Sequence, residues 1–322
     1  MKWLFAVERL ALRAVAPRWR PVVTRAARSA RAEWSQRDHS HHPMGIPSQC
    51  PDAHSSASDQ SKRRARLDTR EPSPLQWSKT VVKISVVVPA FNEEKLIVET
   101  LRSIRAASRS FTEAAWETEL VVCDNNSTDR TAELARAEGA TVVFEPINQI
   151  ARARNAGAAV ATGDWLIFID ADSQPSAGLF ASVAREIRRG GVIAGGSTVR
   201  LTGFHPVASL ITNGWNFLSR LNRWAAGSFI FCEAAAFREI GGFSRELFAS
   251  EELDLSQRLK RLGRSTGRRF VILHEHPLVT SARKLHLYTP WEHLRFLAKT
   301  VLVGGRTLKS REECSTWYDG RR

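Results

Sequence analysis

From Lys83 onward, short apolar runs are separated by polar turns and amphipathic segments in a regular order. The β-branched run at residues 84–88 (ISVVV) predicts a strand that is buried on both faces. We expect Asn92 to cap the helix that follows, with Glu93 and Glu94 in its first turn. The apolar face of that helix comprises Leu96, Ile97, Leu101 and Ile104.

The same order of elements repeats further along the chain. A second strand at residues 120–123 ends at Asp124. Ser127 or Thr128 is expected to cap the next helix, and Gly139 to end it. The remaining predicted elements are a strand at 141–144, a helix at 150–161 and a strand at 165–169. Strands and helices that alternate with short connections predict an α/β fold with a parallel sheet and right-handed crossovers.

Acidic side chains follow three of the predicted strands. Glu93 and Glu94 come after the first, Asp124 ends the second, and Asp170 follows the strand at 165–169. Ligands of such sheets bind beyond the carboxyl ends of the strands. We therefore expect these acids to share one site.

Asp170 and Asp172 stand one residue apart, directly after a buried strand. Two carboxylates that close repel each other unless a cation lies near them. Hard oxygen ligands with room for phosphate oxygens suit Mg²⁺ or Mn²⁺. The pair therefore predicts a metal bound to a phosphate-bearing ligand. Read alone, it fits equally a polar turn in which Asp172 caps a helix.

Charge and composition separate the first 80 residues from the rest. The chain has a net charge of +14 and is 43% hydrophobic. Residues 1–80 hold 15 Lys/Arg and 7 Asp/Glu, hence +8, and the remainder holds 32 and 26, hence +6. We expect residues 1–80 to be a disordered basic extension. Residues 3–16 could form an amphipathic helix, so an organellar presequence and an extension without function both remain open.

Cysteine spacing and hydropathy indicate the cellular compartment that suits the protein. The four cysteines lie far apart without metal-ligand spacing, and Cys123 falls in an apolar strand. These features favour a reducing, cytoplasmic setting. No apolar run is long enough to span a bilayer. The expected C-terminal tail at 291–322 includes an amphipathic stretch at 291–303, which either lies on a membrane surface or packs against the preceding domain.

Four motifs in fixed order carry a family resemblance. PAFNEE after the first strand, VVCDNNSTD at the second, ARNAG, and then FIDAD together resemble the family 2 glycosyltransferases of GT-A fold, over residues 84–290. The resemblance implies a mostly parallel central sheet flanked by helices, in a domain at 81–290. It also implies metal-dependent, inverting transfer of a sugar from a nucleotide-diphosphate sugar to an acceptor hydroxyl.

The same resemblance assigns donor-binding positions. They are Pro89, Phe91, Glu93, Asp124, Arg154, Asn155 and Asp170. Arg152 is either a further donor contact or a solvated arginine. Asp129 is expected to cap the following helix.

A second acidic cluster, Glu251 and Glu252, resembles the place of the family's catalytic base. The family usually has Asp where this chain has Glu252. Since glutamate is longer by one methylene, the base assignment stays open between Glu252 and Glu251. Asp254 is expected to support the start of the same helix.

Late in the chain, histidines and basic residues are candidates to complete the site. His274 or His276 would reach the metal beside Asp170 and Asp172, and Arg283 or Lys284 would grip the diphosphate. Since His276 precedes Pro277, the segment is expected to be extended.

Several readings compete with sugar transfer. The acidic loop after the first strand argues against a nucleotidyltransferase, and the absence of a Gln-x-x-Arg-Trp motif and of membrane spans favours single transfer over polymerisation. A degenerate member that binds donor without turnover remains open, as does a basic extension that binds nucleic acid or a membrane surface. The basic cluster at 62–66 lacks interleaved aromatic residues, so no nucleic-acid partner is expected. The acceptor is a lipid, a small metabolite or a glycan.

Overall fold

The computed structural model describes residues 81–203, 206–283, 306–312 and 314. The expectations for residues 1–80, Lys284 and residues 291–303 lie outside these described residues.

Eight strands and seven α-helices make up the described fold. The strands are β1 (Lys83–Ala90), β2 (Glu117–Asp124), β3 (Thr141–Phe144), β4 (Trp165–Ile169), β5 (Ser173–Gln174), β6 (Val192–Leu201), β7 (Phe229–Glu233) and β8 (Arg269–Thr280). The helices are α1 (Ile97–Thr112), α2 (Thr131–Ala137), α3 (Ile150–Val160), α4 (Ala177–Arg189), α5 (Pro206–Asn222), α6 (Ala234–Glu239) and α7 (Glu251–Ser265), and a short 3-10 helix spans Arg306–Lys309.

The strands form one sheet in the order β3-β2-β1-β4-β7-β6-β8-β5. Strands β1 to β4 pair in parallel, as predicted, and β6 pairs in parallel with β8. β7 lies antiparallel between β4 and β6. The α/β prediction with a mostly parallel sheet is confirmed. The antiparallel pairings of β7, and of β5 with β8, are the part that the sequence pattern did not reveal. Strand β7 places the turn before Phe229 beside the end of β4.

Side chains of the central strands fill a core on each face of the sheet. Val86 and Val88 of β1 pack in one core with Ile167, whereas Val87 packs in the other with Phe168. Successive residues of a strand point to opposite faces. The continuous apolar run at 84–88 is therefore explained by burial on both sides.

Two predicted helix caps are wrong. α1 begins at Ile97 instead of directly after Asn92, whose φ of 52° bends the chain. α2 begins at Thr131, beyond Ser127 and Thr128. These polar side chains bond to the neighbouring loop, so they are not available as caps. The capping residue of α2 is Arg130, whereas Asp129 stands one position earlier and its carboxylate accepts hydrogen bonds from the backbone N–H and hydroxyl of Thr131.

The described end of the chain packs on the domain. Leu308 and Cys314 form a small buried cluster with Leu247 and Ala249, and Phe248 N–H donates to the Leu308 carbonyl at 2.7 Å. This part of the predicted tail is therefore joined to the loop that precedes α7.

The structure describes three of the four cysteines. Cys123, Cys232 and Cys314 are buried and free, and burial raises the pKa of the Cys123 thiol to about 12. Among the described residues, no helix has the length and apolar character needed to cross a bilayer.

Candidate active site

The loops after β1 and β2 interlock at the carboxyl end of the sheet. Asn92 Oδ1 accepts a hydrogen bond from Thr128 N–H at 2.8 Å, and Asn92 N–H donates to Ser127 Oγ at 3.0 Å. Glu93 N–H donates to Thr131 Oγ1 at 2.8 Å. Each bond joins residues more than 30 positions apart in the chain, so the two loops form one unit.

Asp124 lies inside this unit. Its side chain is buried, and Oδ1 accepts a hydrogen bond from Ser127 N–H at 3.0 Å. The next residue, Asn125, donates its amide to the carbonyls of Glu145 and Ile147. Pro89 is buried in β1 opposite Cys123, and Phe91, one residue beyond β1, is partly exposed. These predicted donor-binding residues therefore lie together at the carboxyl end of the sheet.

Glu93 and Arg283 form an ion pair that the sequence did not predict. Arg283 Nη2 donates to both carboxylate oxygens of Glu93, at 2.7 and 2.8 Å. Glu93 is buried, and the buried Nε of Arg283 makes no hydrogen bond to any described residue. The pair ties the segment after β8 to the loop after β1. Arg283 therefore contacts Glu93, one of the residues predicted to bind the nucleotide sugar, and Nη2 of its guanidinium is engaged in that contact.

Backbone hydrogen bonds from two other elements hold the turn that carries the paired aspartates. Asp170 N–H donates to the Ser228 carbonyl at 3.3 Å, and Ser281 N–H donates to the Asp172 carbonyl at 3.1 Å. Both aspartates are partly exposed, so their carboxylates are accessible from solvent. β7 and the end of β8 thus fix the position of this turn from opposite sides.

Arg154 is the most deeply buried charge of the site, with 1% of its side chain exposed. Its Nη1 donates to Glu251 Oε1 at 2.6 Å, and its Nη2 donates to Asp170 Oδ1 at 2.9 Å and to the Gly227 carbonyl at 2.8 Å. The ring of Phe243 lies 5.1 Å from the guanidinium carbon. Burial by itself lowers the pKa of Arg154, but the negative charges of Asp170 and Glu251 outweigh burial and raise it. Arg154 therefore stays charged and joins the aspartate turn to the start of α7.

The two candidate bases have different surroundings. Glu251 is buried and engaged by Arg154, whereas Glu252 is partly exposed. Although part of the residue is exposed, desolvation of its carboxylate raises the pKa of Glu252. The adjacent Glu251 raises this pKa further and Arg154 opposes the shift, with a net pKa of about 8. A β-carbon at Gly227 would lie 3.5 Å from both Arg154 Nη2 and Glu252 Cδ, which places Glu252 beside the arginine.

Comparison with known proteins identifies the family. Residues 85–239, just under half of the chain, match glycosyl transferase family 2. This segment is a family 2 glycosyltransferase domain. The match covers the loops after β1 and β2, Arg154 and both aspartates, and it ends before α7.

Curated relatives of the glycosyltransferase domain are similar over part of their length. An uncharacterized glycosyltransferase of Mycobacterium tuberculosis is 34% identical over 122 residues, which is 38% of this chain and 51% of the relative. An undecaprenyl-phosphate 4-deoxy-4-formamido-L-arabinose transferase of Pseudomonas paraeruginosa is 40% identical over 98 residues, which is 28% of each chain. The chain thus spans about half the length of the first relative and less of the second.

A solved structure shares the fold. The mannosyltransferase of Pyrobaculum calidifontis superposes with a TM-score of 0.52 at 20% identity, covering 70% of this chain and 64% of that one. The likeness confirms the predicted GT-A fold class.

The structure gives Asn155 and Arg152 contacts to other residues of the protein. The Asn155 amide donates to the Phe243 carbonyl and accepts from Phe243 N–H, both at 2.9 Å. Arg152 pairs with Glu145 at 3.2 Å. Asn155 therefore holds the turn that places the Phe243 ring beside Arg154. We do not retain Asn155 among the residues that bind the nucleotide sugar.

The structure does not bring His274 or His276 to the aspartates. Thr280 pairs with Ser173, next to Asp172, whereas the histidines lie four and six residues back along β8. Between Leu273 and Leu278 the pairing of β8 with β6 shifts register, so β8 is irregular where the histidines lie. Both side chains are exposed, and the His276 ring lies against Gly178 of α4. The segment at His276 and Pro277 lies in a strand, as expected. The predicted contact of a histidine with the metal finds no support among the described residues.

The side chains available as metal ligands limit which metal ion would fit the site. Within the described ranges, no group of three His, Cys, Asp or Glu side chains is arranged to hold a metal ion. The protein offers the carboxylates of Asp170 and Asp172, and Arg154 occupies one oxygen of Asp170. Such a set suits Mg²⁺ or Mn²⁺, which take hard oxygen ligands and complete their shell with phosphate and water.

Sequence reasoning missed the residues that connect the site. The carbonyls of Gly227 and Ser228, the Phe243 ring and the Ser281 N–H all contact the aspartate turn or Arg154. Three of these contacts are made by the backbone, which leaves no signature in residue type. The signal for Phe243 was its place after two glycines that have positive φ.

Proposed function

We propose that the glycosyltransferase domain transfers a sugar from a nucleotide-diphosphate sugar to an acceptor hydroxyl, in single transfers with inversion. The loops after β1 and β2 hold the nucleotide through Asp124 and Glu93, with Pro89 and Phe91 shaping the edge. Arg283, which binds Glu93 through Nη2, is the proposed contact of the diphosphate through its other N–H groups. The Pyrobaculum relative was solved with GDP-mannose and Mn²⁺, which supports this class of donor.

Asp170 and Asp172 are the proposed ligands of Mg²⁺ or Mn²⁺. A bound dication supplies positive charge where the departing diphosphate gains negative charge. Arg154 holds Asp170 in place and keeps the turn at the ends of β4 and β7. Since Arg154 is almost fully buried, its role is to position the carboxylate.

Glu252 is the proposed general base, and one observation carries this assignment. Glu251 is buried in an ion pair with Arg154, whereas Glu252 is partly exposed beside the same arginine and has a raised pKa. A base of that pKa is matched to proton transfer near neutral pH. Glu252 removes the hydroxyl proton of the acceptor while that oxygen bonds to the anomeric carbon. The bond from the anomeric carbon to the diphosphate breaks in the same step.

Turnover of candidate donors tests this proposal. The full chain is incubated with Mn²⁺ and a panel of UDP-, GDP- and dTDP-sugars together with lipid, metabolite and glycan acceptors, and released nucleotide diphosphate is measured. We expect Glu252→Gln to lower kcat by about 100-fold or more, with little change in donor binding. The matched control is Glu246→Gln, an exposed glutamate paired with Lys309, which should keep full activity. Donor binding without release from any sugar would support the degenerate binder and contradict the proposal.

A further inference from the structure

Helix α5 presents a stripe of large apolar side chains to solvent. Leu210, Ile211, Phe217 and Leu221 are 74%, 65%, 65% and 63% exposed. Leu210, Phe217 and Leu221 are spaced by seven and four residues, which places them on one face of a helix. Large apolar side chains exposed together on one helix face indicate an interaction surface.

The opposite face of α5 is fixed to the domain by polar contacts. Asn216 exchanges two hydrogen bonds with the backbone of Val199 in β6, at 2.9 and 2.8 Å. Ser219 Oγ donates to the Trp224 carbonyl at 2.6 Å, and Lys260 Nζ of α7 donates to the Asn222 carbonyl at 2.8 Å. These bonds set the rotation of the helix, so the apolar stripe is held outward.

Positive charge lies at the C-terminal end of the stripe. The chain has no Asp or Glu between Glu186 and Glu233. Arg220 and Arg223, at the C-terminal end of α5, line a cavity of about 270 Å³ together with Arg269 and His274. Arg269 also approaches Glu186 at 3.4 Å, so part of its charge is balanced.

We propose that α5 docks on the surface of an anionic lipid bilayer. A helix with an apolar face and flanking cations lies in the membrane interface, with its apolar side chains between the lipids and its cations at the headgroups. The basic cavity then takes lipid phosphate groups. A second copy of this chain fits less well, because a two-fold pairing of the stripes would bring the arginines of both copies together.

Sedimentation of the full chain with lipid vesicles tests the proposal. Vesicles of phosphatidylcholine alone are compared with vesicles that also contain phosphatidylglycerol, at low and at high ionic strength. We expect binding to the anionic vesicles that weakens as salt rises. Each arginine near the headgroups contributes about fivefold, so Arg220→Gln combined with Arg223→Gln should cost more than tenfold.

Matched variants separate the stripe from other basic parts of the chain. Phe217→Ser and Leu221→Ser should each weaken vesicle binding about tenfold, without lowering the melting temperature, because both side chains are exposed. The control Phe144→Ser removes an equally exposed phenylalanine, 59% exposed on the far edge strand β3, and should bind as wild type does.

Three outcomes would overturn the proposal. Wild type could fail to sediment with either vesicle, or Phe217→Ser could bind as strongly as wild type. The third is a dimer in the absence of lipid that Phe217→Ser dissociates, which would assign the stripe to a second copy. Because no donor, metal or acceptor is used, none of these outcomes bears on the proposed sugar transfer.

Discussion

Arg154 shows what a motif can and cannot reveal at the scale of a residue. The sequence marks it as part of ARNAG, a resemblance to a donor-binding pattern. Its ion pair with Glu251, 97 positions later, depends on the antiparallel β7, which brings the segment before α7 against the end of β4. No local sequence pattern predicts that the segment before α7 lies against β4. The roles of Glu251 and Glu252 therefore could not be distinguished before their burial was known.

Removal of Arg154 tests its buried ion pairs. Arg154→Met leaves Glu251 buried without its cation, so the free energy of unfolding should fall by about 3–5 kcal/mol. Arg154→Met combined with Glu251→Gln should recover much of that loss, as measured by urea unfolding. Arg130→Met removes an exposed pair with Glu133 and should leave the unfolding midpoint almost unchanged. A double variant no more stable than the single variant would contradict the assignment.

The pH dependence of turnover tests Glu252 as the base. A base must be ionised, and the raised pKa of about 8 keeps Glu252 protonated below that pH. We therefore expect kcat/KM to rise about tenfold per pH unit below roughly 8 and to level off above it. Glu251→Gln removes a neighbouring negative charge and should move this limb to lower pH. A flat wild-type profile, or a limb that moves to higher pH, would exclude Glu252.

At the scale of elements, apolar runs predicted the strands well and the helix starts poorly. The strands at 84–88, 120–123 and 165–169 were found because burial on both faces demands continuous apolar residues, whereas the edge strand at 141–144 was found although none of its residues is buried. Asn92, Ser127 and Thr128 were assigned as caps by residue type. In the fold they bond across to the neighbouring loop, which is a tertiary choice that the local sequence does not encode.

Two glycines on helices test how closely α3 packs on the sheet. A β-carbon at Gly157 would lie 2.5 Å from Val87 Cγ1 of β1, so Gly157→Ala should destabilise the domain by about 1–3 kcal/mol. At Gly214 in α5 no described atom lies within 4 Å, and Gly214→Ala should stabilise by about 0.5–1 kcal/mol. Thermal unfolding of both variants provides the check. Equal effects of the same sign would show that the close approach of α3 is not as described.

At the scale of the whole molecule, the sequence predicted which end of the sheet carries the site but not which distant residues meet there. The position of Asp124, Asp170 and Asp172 directly at or after strands predicted that they share a site, because the carboxyl ends of parallel strands lie at the same end of the sheet. The sequence assigned both Glu93 and Arg283 to the binding of the nucleotide-sugar donor. In the structure these two residues, 190 positions apart, bind each other. His276 was expected at the same site by resemblance to related enzymes, whereas in the structure it is exposed and its ring lies against Gly178 of α4.

Metal-dependent nucleotide binding tests the central claim most directly. UDP, GDP and dTDP are titrated calorimetrically into the full chain with Mn²⁺ and again with EDTA, for wild type, Asp172→Asn and Asp164→Asn. Asp172→Asn alters a carboxylate proposed to hold the metal, and its only side-chain hydrogen bond among the described residues is a long one to Ser173, so the fold should persist. Asp164→Asn makes the same change before the other end of β4, where Asp164 accepts a hydrogen bond from Lys83 N–H. We predict that one nucleotide binds in Mn²⁺, that EDTA and Asp172→Asn each abolish this binding, and that Asp164→Asn preserves it. Binding unchanged by EDTA and by Asp172→Asn would contradict the metal site, and no binding of any nucleotide would contradict the proposed donor class.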